Sequence, residues 1–198
     1  MWYHEGHRTV QDARGTRNLA DRVYEVTRRT EFTDDDIAFI QSRTMFFLAT
    51  STPDGQPDCS YKGGAPGFIR VIGPSTLVFP DYDGDGTFRS LGNIFSNPKV
   101  GMILIDFDEQ KRIRINGAAT LNEDPLDFPG AKGTVEVAVE AVFPKCPRYI
   151  HKGGGRELSR FTPKAGIEQP TPDWKHDKRF NDALPETDPA SGDVHDEG

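Results

Sequence analysis

Apolar side chains near the start of the chain recur at helical spacing. Leu19, Val23 and Val26 lie three or four residues apart with charged residues between them, which predicts an amphipathic helix. Thr33 and the three aspartates after it predict a second helix that ends before Thr44. A threonine hydroxyl can cap free N–H groups there, and the helix dipole favours acids in the first turn. Helices are therefore expected ahead of the first strand.

Strand patterns take over after residue 44. Thr52–Gly55 has the proline and glycine positions of a type I turn, between two strands of a hairpin. The nearly continuous apolar run over 100–107 predicts a strand that is buried on both faces. The strict alternation over 112–116 predicts that Ile113 and Ile115 share one face. We predict strands over 45–50, 56–63, 68–72, 76–79, 100–107, 112–116 and 134–143, and a short helix over 88–94.

This order of elements indicates the fold class. Several antiparallel strands joined by tight turns, with helices at their flanks, predict a mainly β (α+β) protein built as a small barrel or sandwich. The 198 residues and 22.0 kDa favour one globular domain with extensions. Beyond Thr162 the chain is polar and proline-rich, which predicts an extended or partly disordered arm. We divide the chain into an N-terminal helical extension over 1–32, the β domain over 33–161 and a polar C-terminal arm over 162–198.

Composition narrows the classes of partner. No run approaches the ~20 apolar residues of a membrane-spanning helix, so no membrane partner is expected. The start of the chain lacks the apolar segment of a secretory signal. The two cysteines, Cys59 and Cys146, suit a reducing cytosol and are expected to be buried, so we predict a cytoplasmic protein. A net charge of -7, from 24 basic and 31 acidic residues, disfavours nucleic-acid binding but allows a local site for a small anion.

The segment after the strand at 76–79 contains candidate metal ligands. Asp81, Asp83, Asp85 and Gly86 match the opening of an EF-hand calcium loop. The closing glutamate is missing, because Gly92 stands at its position. The segment also follows a strand rather than a helix, so calcium is disfavoured and we predict no metal site.

The same segment has the residue types of an anion site. Arg89 and Ser90 lie near the start of the predicted short helix, where free N–H groups, the helix dipole, a hydroxyl and a guanidinium can converge on a phosphate. A solvated turn in which Arg89 pairs with Asp83 or Asp85 explains the local sequence equally well. Both interpretations stay open at this point.

The strand over 56–63 supplies a second polar set. Strand parity places Ser60 and Lys62 on one face and Cys59 and Tyr61 on the other. A hydroxyl and a lysine that project together can bind a phosphate, although the polar outer face of a hairpin is the commoner explanation. The sequence identifies no general acid or base, so the catalytic residues are unknown.

Several of these segments together resemble a known family. Ala49-Thr50, followed by Gly55-Gln56-Pro57 and a returning strand, resembles the first hairpin of the pyridoxamine 5′-phosphate oxidase-like FMN-binding split-barrel family. The resemblance covers roughly Phe39 to Phe143, and Phe143–Ile150 resembles a subgroup of uncharacterised members. The other matching segments are Leu77-Val78-Phe79, Arg89-Ser90, Ile94, Asn97-Pro98 and 111–117.

The resemblance implies a fold, a cofactor and a site. The fold would be an antiparallel split β-barrel with flanking helices, and the protein would be a homodimer with FMN in a cleft between the subunits. Ser60, Tyr61 and Lys62 fall on the strand that lines the flavin, and the backbone of Phe79 and Pro80 falls against its ring. Arg89 and Ser90 fall on the family's phosphate-binding pair, and Arg112 falls on a glutamine that touches the flavin.

The chain also departs from the family's oxidase. Ser60 replaces a phosphate-binding arginine, Ala65 stands in place of a lysine, and Ser90 replaces a second lysine. The loop over Asp81–Thr87 is longer, and the C-terminal Arg-x-His that holds pyridoxal phosphate has no counterpart. These differences argue against a vitamin B6 oxidase, and the fold alone does not select a reaction.

Three functional hypotheses follow. The first is an FMN-dependent oxidoreductase of a small-molecule substrate, with NADH or NADPH as a possible donor. The alternative is a non-catalytic binding module of the same fold that holds flavin, deazaflavin F420 or haem. The third is a ligand-free structural or interaction protein, in which Arg89 and Lys62 make only surface ion pairs.

Overall fold

The fold is given by a computed structural model, which describes residues 3–144, 150–151, 153, 163–168, 170–176, 181, 184 and 188–193. Cys146, and residues 145–149 of the segment that resembles a subgroup of the family, lie outside the described residues. The helices are α1 (Glu5–Ala13), α2 (Arg17–Thr27), α3 (Asp34–Gln41) and α4 (Arg89–Ser96), with a short 3₁₀ helix at Asp173–His176. The strands are β1 (Met45–Ser51), β2 (Pro57–Gly63), β3 (Arg70–Gly73), β4 (Thr76–Tyr82), β5 (Lys99–Asp106), β6 (Lys111–Asn122) and β7 (Ala131–Pro144).

The seven strands form one antiparallel sheet in the order β2-β1-β5-β6-β7-β4-β3. The prediction of a mainly β, antiparallel fold with flanking helices is confirmed. Strands β6 and β7 are longer than predicted, and their register shifts between Asn116 and Gly117. A Cβ atom at Gly117 would lie 2.3 Å from the carbonyl oxygen of Ala138, so this close approach of two strands requires glycine.

The core lies on the inner face of the sheet. Ile113 and Ile115 are both buried there, as the alternating pattern predicted, while Arg114 is exposed on the outer face. On β5 the prediction of burial on both faces is wrong for the single chain. Ile103 and Ile105 point to the outer face and are only half-buried. The outer face of β5 therefore carries apolar side chains that the described chain does not fully cover.

The start of α3 agrees with its predicted cap. The Thr33 Oγ1 accepts a hydrogen bond from the Asp36 N–H, and the Asp36 carboxylate accepts one from the Thr33 N–H. Asp36 is buried and also forms an ion pair with Arg29. Arg29 pairs through its backbone with Val142 of β7, so this cluster joins the N-terminal helices to the sheet.

The N-terminal region differs from the prediction in two ways. An additional helix, α1, precedes the predicted one. It was missed because its nine residues have a single large apolar side chain, Val10, and the helix begins with a local cap from His4. In α2, Leu19, Val23 and Val26 follow the predicted spacing but remain exposed, and no residue of either helix is buried. The spacing predicted the helix correctly, but it does not show which surface, if any, packs against its apolar side chains.

Two further observations concern the outer parts of the chain. Lys175, from the predicted polar arm, is buried against the β domain, so at least this part of the arm is docked.

None of the helices in the described part of the chain is long and apolar enough to cross a membrane. The division into 1–32, 33–161 and 162–198 stays a prediction.

The Asp36 cluster leads to a stability prediction. Burial alone would raise the pKa of Asp36, but the hydrogen bonds from Arg29 and Thr33 outweigh it and hold the pKa below its usual value. We expect Asp36→Asn to lower the free energy of unfolding at pH 7 by about 1–3 kcal/mol, because a buried, charge-assisted hydrogen bond is lost. Urea unfolding followed by circular dichroism measures the change.

The pH dependence gives the control. An aspartate with a depressed folded-state pKa stabilises the protein above its unfolded-state pKa of about 3.9, and loses that effect as the pH falls through the folded-state value. The difference between wild type and Asp36→Asn should therefore shrink in acid. Asp35→Asn, in the same helical turn but exposed, should change little at any pH. Equal effects of the two substitutions would contradict the assignment.

Candidate ligand site between β2, β4 and α4

The candidate site begins where α4 starts. Phe88, just before the helix, has the left-handed conformation with φ 47°, which is uncommon for a residue other than glycine. No side chain caps this end of the helix, so its first N–H groups have no side-chain acceptor from the described residues. An uncapped helix N-terminus favours a negatively charged ligand.

Two serines connect this helix to β2. The Ser60 Oγ lies 2.7 Å from the Ser90 Oγ, within hydrogen-bonding distance, and Ser90 is buried. One turn later, Asn93 Nδ2 donates to Thr50 Oγ1 of β1 at 3.0 Å. These bonds hold the start of α4 against the first hairpin, so residues thirty positions apart form one polar surface.

Lys62 and Asp81 lie on the facing strands β2 and β4, and both line the same cavity. Burial lowers the pKa of Lys62, and the carboxylates of Asp81, Asp58 and Asp85 oppose this only as nearby charges. Burial also raises the pKa of Asp81. The nearby cations of Lys62 and Lys132 oppose this shift, and the charge of Asp83 adds to it. Each group is therefore held in an environment that favours its neutral form, which is common at functional sites.

Arg89 lies at the rim of the site. Its Nε donates to the Asp58 Oδ1 at 3.2 Å, and its side chain is 72% exposed. The predicted alternative, in which Arg89 pairs with Asp83 or Asp85, is wrong. Asp85 instead accepts hydrogen bonds from the N–H and hydroxyl of Thr87. Strand parity could have identified Asp58, because it shares a face of β2 with Ser60 and Lys62.

Two adjoining cavities occupy the site. The polar cavity has a volume of about 230 Å³ and contains Ser60, Arg89 and Ser90. The aromatic-lined cavity has a volume of about 270 Å³ and is lined by Phe68 and Phe79, among others. The residues common to both linings are Lys62, Asp81, Tyr82, Gly84 and Leu91. A ligand with an anionic end and a flat apolar end matches this pair of cavities.

The strand β4 presents backbone as well as side chains here. Its pairing with β3 ends at Val78, which lies opposite Arg70. After Val78, none of the described strands pairs with β4 on the side where β3 lies. Phe79 and Pro80 are buried, and the Phe79 ring lies 5.0 Å from Phe46, edge to face. Their side chains thus belong to the wall and core, and backbone groups remain to meet a ligand.

The other face of β2 is also as strand parity predicted. Cys59 and Tyr61 are both exposed, and Tyr61 contacts Phe47 edge to face with ring centroids 6.0 Å apart. The expectation that Cys59 is buried is therefore wrong. It lies on the outward face of an edge strand, and the described chain does not cover it.

Arg112 is not part of this arrangement within one chain. It lines a separate cavity of about 560 Å³ between α3 and the turn that joins β5 and β6, and none of its lining residues is shared with the other two cavities. The Arg112 Nε is buried without a hydrogen-bond partner among the described residues. The two cavities between β2, β4 and α4 bring together six of the other predicted site residues, which are Ser60, Lys62, Phe79, Pro80, Arg89 and Ser90. Tyr61 also lines the aromatic-lined cavity, but its exposed side chain contacts Phe47 on the outer face of β2.

The donor set can be compared with the needs of a phosphate and of a metal ion. A phosphate is favoured by the one hydroxyl proton that the Ser60–Ser90 pair leaves free, by the uncapped start of α4 and by the charges of Lys62 and Arg89. The carboxylates of Asp58, Asp81 and Asp85 line the same cavity and reduce that attraction. Among the described residues, no group of three or more histidines, cysteines or acids is arranged to hold a metal ion. The set fits a phosphate with a partly compensated charge.

Comparison with known proteins adds a family match. The model of the family described as pyridoxamine 5′-phosphate oxidase matches residues 32–166. The matched range includes β1 to β7, α4 and every predicted site residue. Among curated proteins, none matches the chain.

Solved structures with some similarity were also found. A proposed pyridoxamine 5′-phosphate oxidase from Lactobacillus delbrueckii is 23% identical, with 60% of this chain and 99% of that chain covered and a TM-score of 0.48. HupZ from Group A Streptococcus is 19% identical, with coverages of 62% and 99% and a TM-score of 0.47. An FMN-binding protein from Syntrophomonas wolfei is 13% identical, with coverages of 69% and 96% and a TM-score of 0.41. These similarities carry no information about the ligand of this chain.

The raised pKa of Asp81 leads to a second stability prediction. An acid with a raised folded-state pKa destabilises the protein above that pKa, and the effect disappears as the pH falls below the unfolded-state pKa of about 3.9. We therefore expect Asp81→Asn to raise the free energy of unfolding at pH 7 and to match wild type near pH 3, by urea unfolding.

Asp85 supplies the matched control. Hydrogen bonds from Thr87 hold the pKa of Asp85 below its ordinary value, so Asp85→Asn should not stabilise the protein at pH 7. A stabilisation by both substitutions would reflect the general removal of negative charge from this acidic protein. In that case the effect would not report the local environment of Asp81.

Proposed function

Because the chain belongs to the pyridoxamine 5′-phosphate oxidase family, with the mainly β split-barrel fold expected from its sequence, we propose that it is an FMN-dependent oxidoreductase of a small-molecule substrate. The observation that carries the proposal is the polar cavity at the start of α4, next to an aromatic-lined cavity that shares its wall. FMN has an anionic phosphate and a flat ring system, which require these two environments together.

The polar cavity would hold the phosphate. The serine that accepts the hydrogen bond between Ser60 and Ser90 keeps a free hydroxyl proton, and it would donate to the phosphate together with the first N–H groups of α4. Lys62 and Arg89 supply positive charge. Serines stand where the family's oxidase has basic residues, so more of the binding comes from neutral donors. Because carboxylates lie nearby, we expect this site to bind a phosphate dianion more weakly than the site of the family's oxidase does.

The aromatic-lined cavity would hold the ring system. Phe68 and Phe79 form its apolar wall, and the backbone after Val78 offers polar groups at a strand edge that β3 does not pair. The flavin, when bound, supplies the hydride or electron transfer, with NADH or NADPH as a possible donor. The chain's own residues orient the ring and limit its contact with water.

A homodimer is part of this proposal. Phe47 and Tyr61 are exposed on the outer face of the first hairpin, and Phe47 stands opposite the half-buried Ile103 of β5. Asn116 Oδ1, on the same face of β6, is buried without a partner among the described residues. A second copy would cover this apolar face, and it is the route by which Arg112 of one subunit could approach the ligand of the other.

The alternative is a non-catalytic module of the same fold that holds flavin, deazaflavin F420 or haem. Two observations favour it. Among the residues that the structure describes, neither Lys62 nor Asp81 has a hydrogen-bond partner that would make it a general acid or base. Three carboxylates also oppose a tightly held phosphate. The cytoplasmic location also stays a proposal, based on cysteine usage.

Reduction and reoxidation distinguish the two functions. FMN is titrated with the purified full chain, and binding is measured by the quenching of flavin fluorescence. The complex is then mixed anaerobically with NADH or NADPH. Bleaching of the flavin absorption, followed by reoxidation with an acceptor, supports the oxidoreductase. Stable binding without bleaching by these donors favours the binding module, and no binding contradicts both flavin hypotheses.

Arg89 allows a direct test of the phosphate position. We expect Arg89→Ala to weaken FMN binding by about 1.5–3 kcal/mol, the usual contribution of a charged hydrogen bond. Asp58→Asn should strengthen binding, because it removes a negative charge and frees Arg89 from its partner. Arg22→Ala, an exposed arginine on α2, is the control and should have no effect. Unchanged affinity in Arg89→Ala would remove this residue from the site.

The dimer is tested by light scattering at micromolar concentration. We expect twice the chain mass for wild type and the chain mass for Phe47→Glu, since a charge on the outer sheet face opposes burial against a second copy. Ile72→Glu changes an apolar residue of β3 that is more exposed than Phe47, and should leave the dimer intact. A monomeric wild type would exclude a shared cleft.

A further inference from the structure

A buried lysine from the C-terminal part of the chain contacts the loop that follows β4. The Lys175 Nζ donates to the Asp83 Oδ2 at 2.7 Å and to the Asp188 Oδ2 at 2.8 Å, and only 6% of the residue is exposed. Lysine is rarely buried to this extent unless it is paired. The two hydrogen bonds outweigh the effect of burial and raise the pKa of Lys175, so it remains a cation at neutral pH.

The described residues around Lys175 are joined by hydrogen bonds, and we refer to Lys175, Asn181 and 188–192 as the C-terminal unit. Asn181 is also buried, and its Nδ2 donates to the carbonyl oxygens of Lys175 and Ala190, both at 2.8 Å. The Gly192 N–H donates to the Asn181 Oδ1 at 3.2 Å. The Asp188 carboxylate accepts a further hydrogen bond from the Ala190 N–H. The unit thus presents Lys175 in a defined position, with one carboxylate of its own and one from the β domain.

The residue that Lys175 contacts belongs to the wall of the ligand site. Asp83 lines the aromatic-lined cavity, and its neighbour Gly84 lines both cavities. The loop is fixed at its far end by α4, where Ser90 is bonded to Ser60. The Asp83–Lys175–Asp188 bridge fixes its near end. Without Lys175, Asp83 would also add a negative charge to the wall of the aromatic-lined cavity, which adjoins the polar cavity proposed for the phosphate.

We infer that Lys175 is a positioning residue of the ligand site, through which the C-terminal unit completes one wall and offsets the charge of Asp83. The identity of the ligand rests on the proposed function. The contact between Lys175 and Asp83 does not depend on that identity. Lys175 and its described neighbours are then a component of the site, whereas the sequence pattern alone predicts only a polar arm there.

The first test compares ligand affinity. We expect Lys175→Met to raise the dissociation constant for FMN by roughly 5- to 150-fold, the usual size of coupling between two contacting sites, with the increase mainly in the dissociation rate. Stopped-flow fluorescence measures it on the full chain. Lys164→Met, an exposed lysine in the same part of the chain, is the matched control and should behave as wild type. An unchanged dissociation constant in Lys175→Met would overturn the inference.

A double-mutant cycle distinguishes this role from a general loss of stability. If Lys175 acts through Asp83, then Lys175→Met should have a smaller effect on FMN affinity in an Asp83→Asn background than in wild type. Lys175→Arg, which keeps the charge, should retain most of the affinity. Full additivity of the two substitutions, with an equal loss of affinity in Lys175→Arg, would show that the lysine only supports folding.

A ligand-free measurement keeps the inference separate from the proposed function. Hydrogen exchange of the full chain without FMN should show faster exchange of residues 83–88 in Lys175→Met than in wild type, and no change in β5 and β6. If wild type fails to bind FMN, the proposed function is wrong, and this exchange result still decides whether Lys175 shapes the wall. Unchanged exchange over residues 83–88 would overturn the inference even where FMN binds.

Discussion

The hydrogen bond between Ser60 and Ser90 is the contact on which the candidate site depends. It holds the start of α4 against β2, so that residues from a hairpin and from a later helix enclose one polar cavity. The first residues of α4, which follow the left-handed Phe88, line the same cavity, and no side chain caps this helix end. If α4 moved away from β2, Lys62 and Arg89 would remain surface cations with no shared ligand.

The charges of the site are arranged in opposition. Lys62 and Asp81 are half-buried on facing strands. Burial lowers the pKa of Lys62 and raises the pKa of Asp81, and so favours the neutral form of each. Arg89 is engaged by Asp58, and Asp83 by Lys175. Partly buried titratable groups whose pKa values are shifted in this way are common at functional sites. Their presence together therefore favours a role in binding a polar ligand.

The described part of the single chain leaves the outer face of its sheet incompletely covered. The outer face of β1, β2 and β5 exposes or half-exposes apolar side chains, and Asn116 and Arg112 carry buried polar atoms that lack partners among the described residues. The loop after β4, in contrast, is completed from within the chain by the C-terminal unit around Lys175. Assembly with a second copy and docking of the C-terminal unit are thus separate contributions to one proposed site.

Local pattern determined much of this protein. Thr33 and its aspartates predicted the start of α3, and alternation predicted which face Ile113 and Arg114 occupy, because caps and strand parity depend on neighbouring residues only. The family resemblance identified the residues of β2 and α4 that meet at the site. Only the tertiary structure paired Arg89 with Asp58, separated Arg112 from the other site residues, exposed Cys59 and buried Lys175. Each of these depends on the packing of segments far apart in sequence, and no local preference encodes such distances.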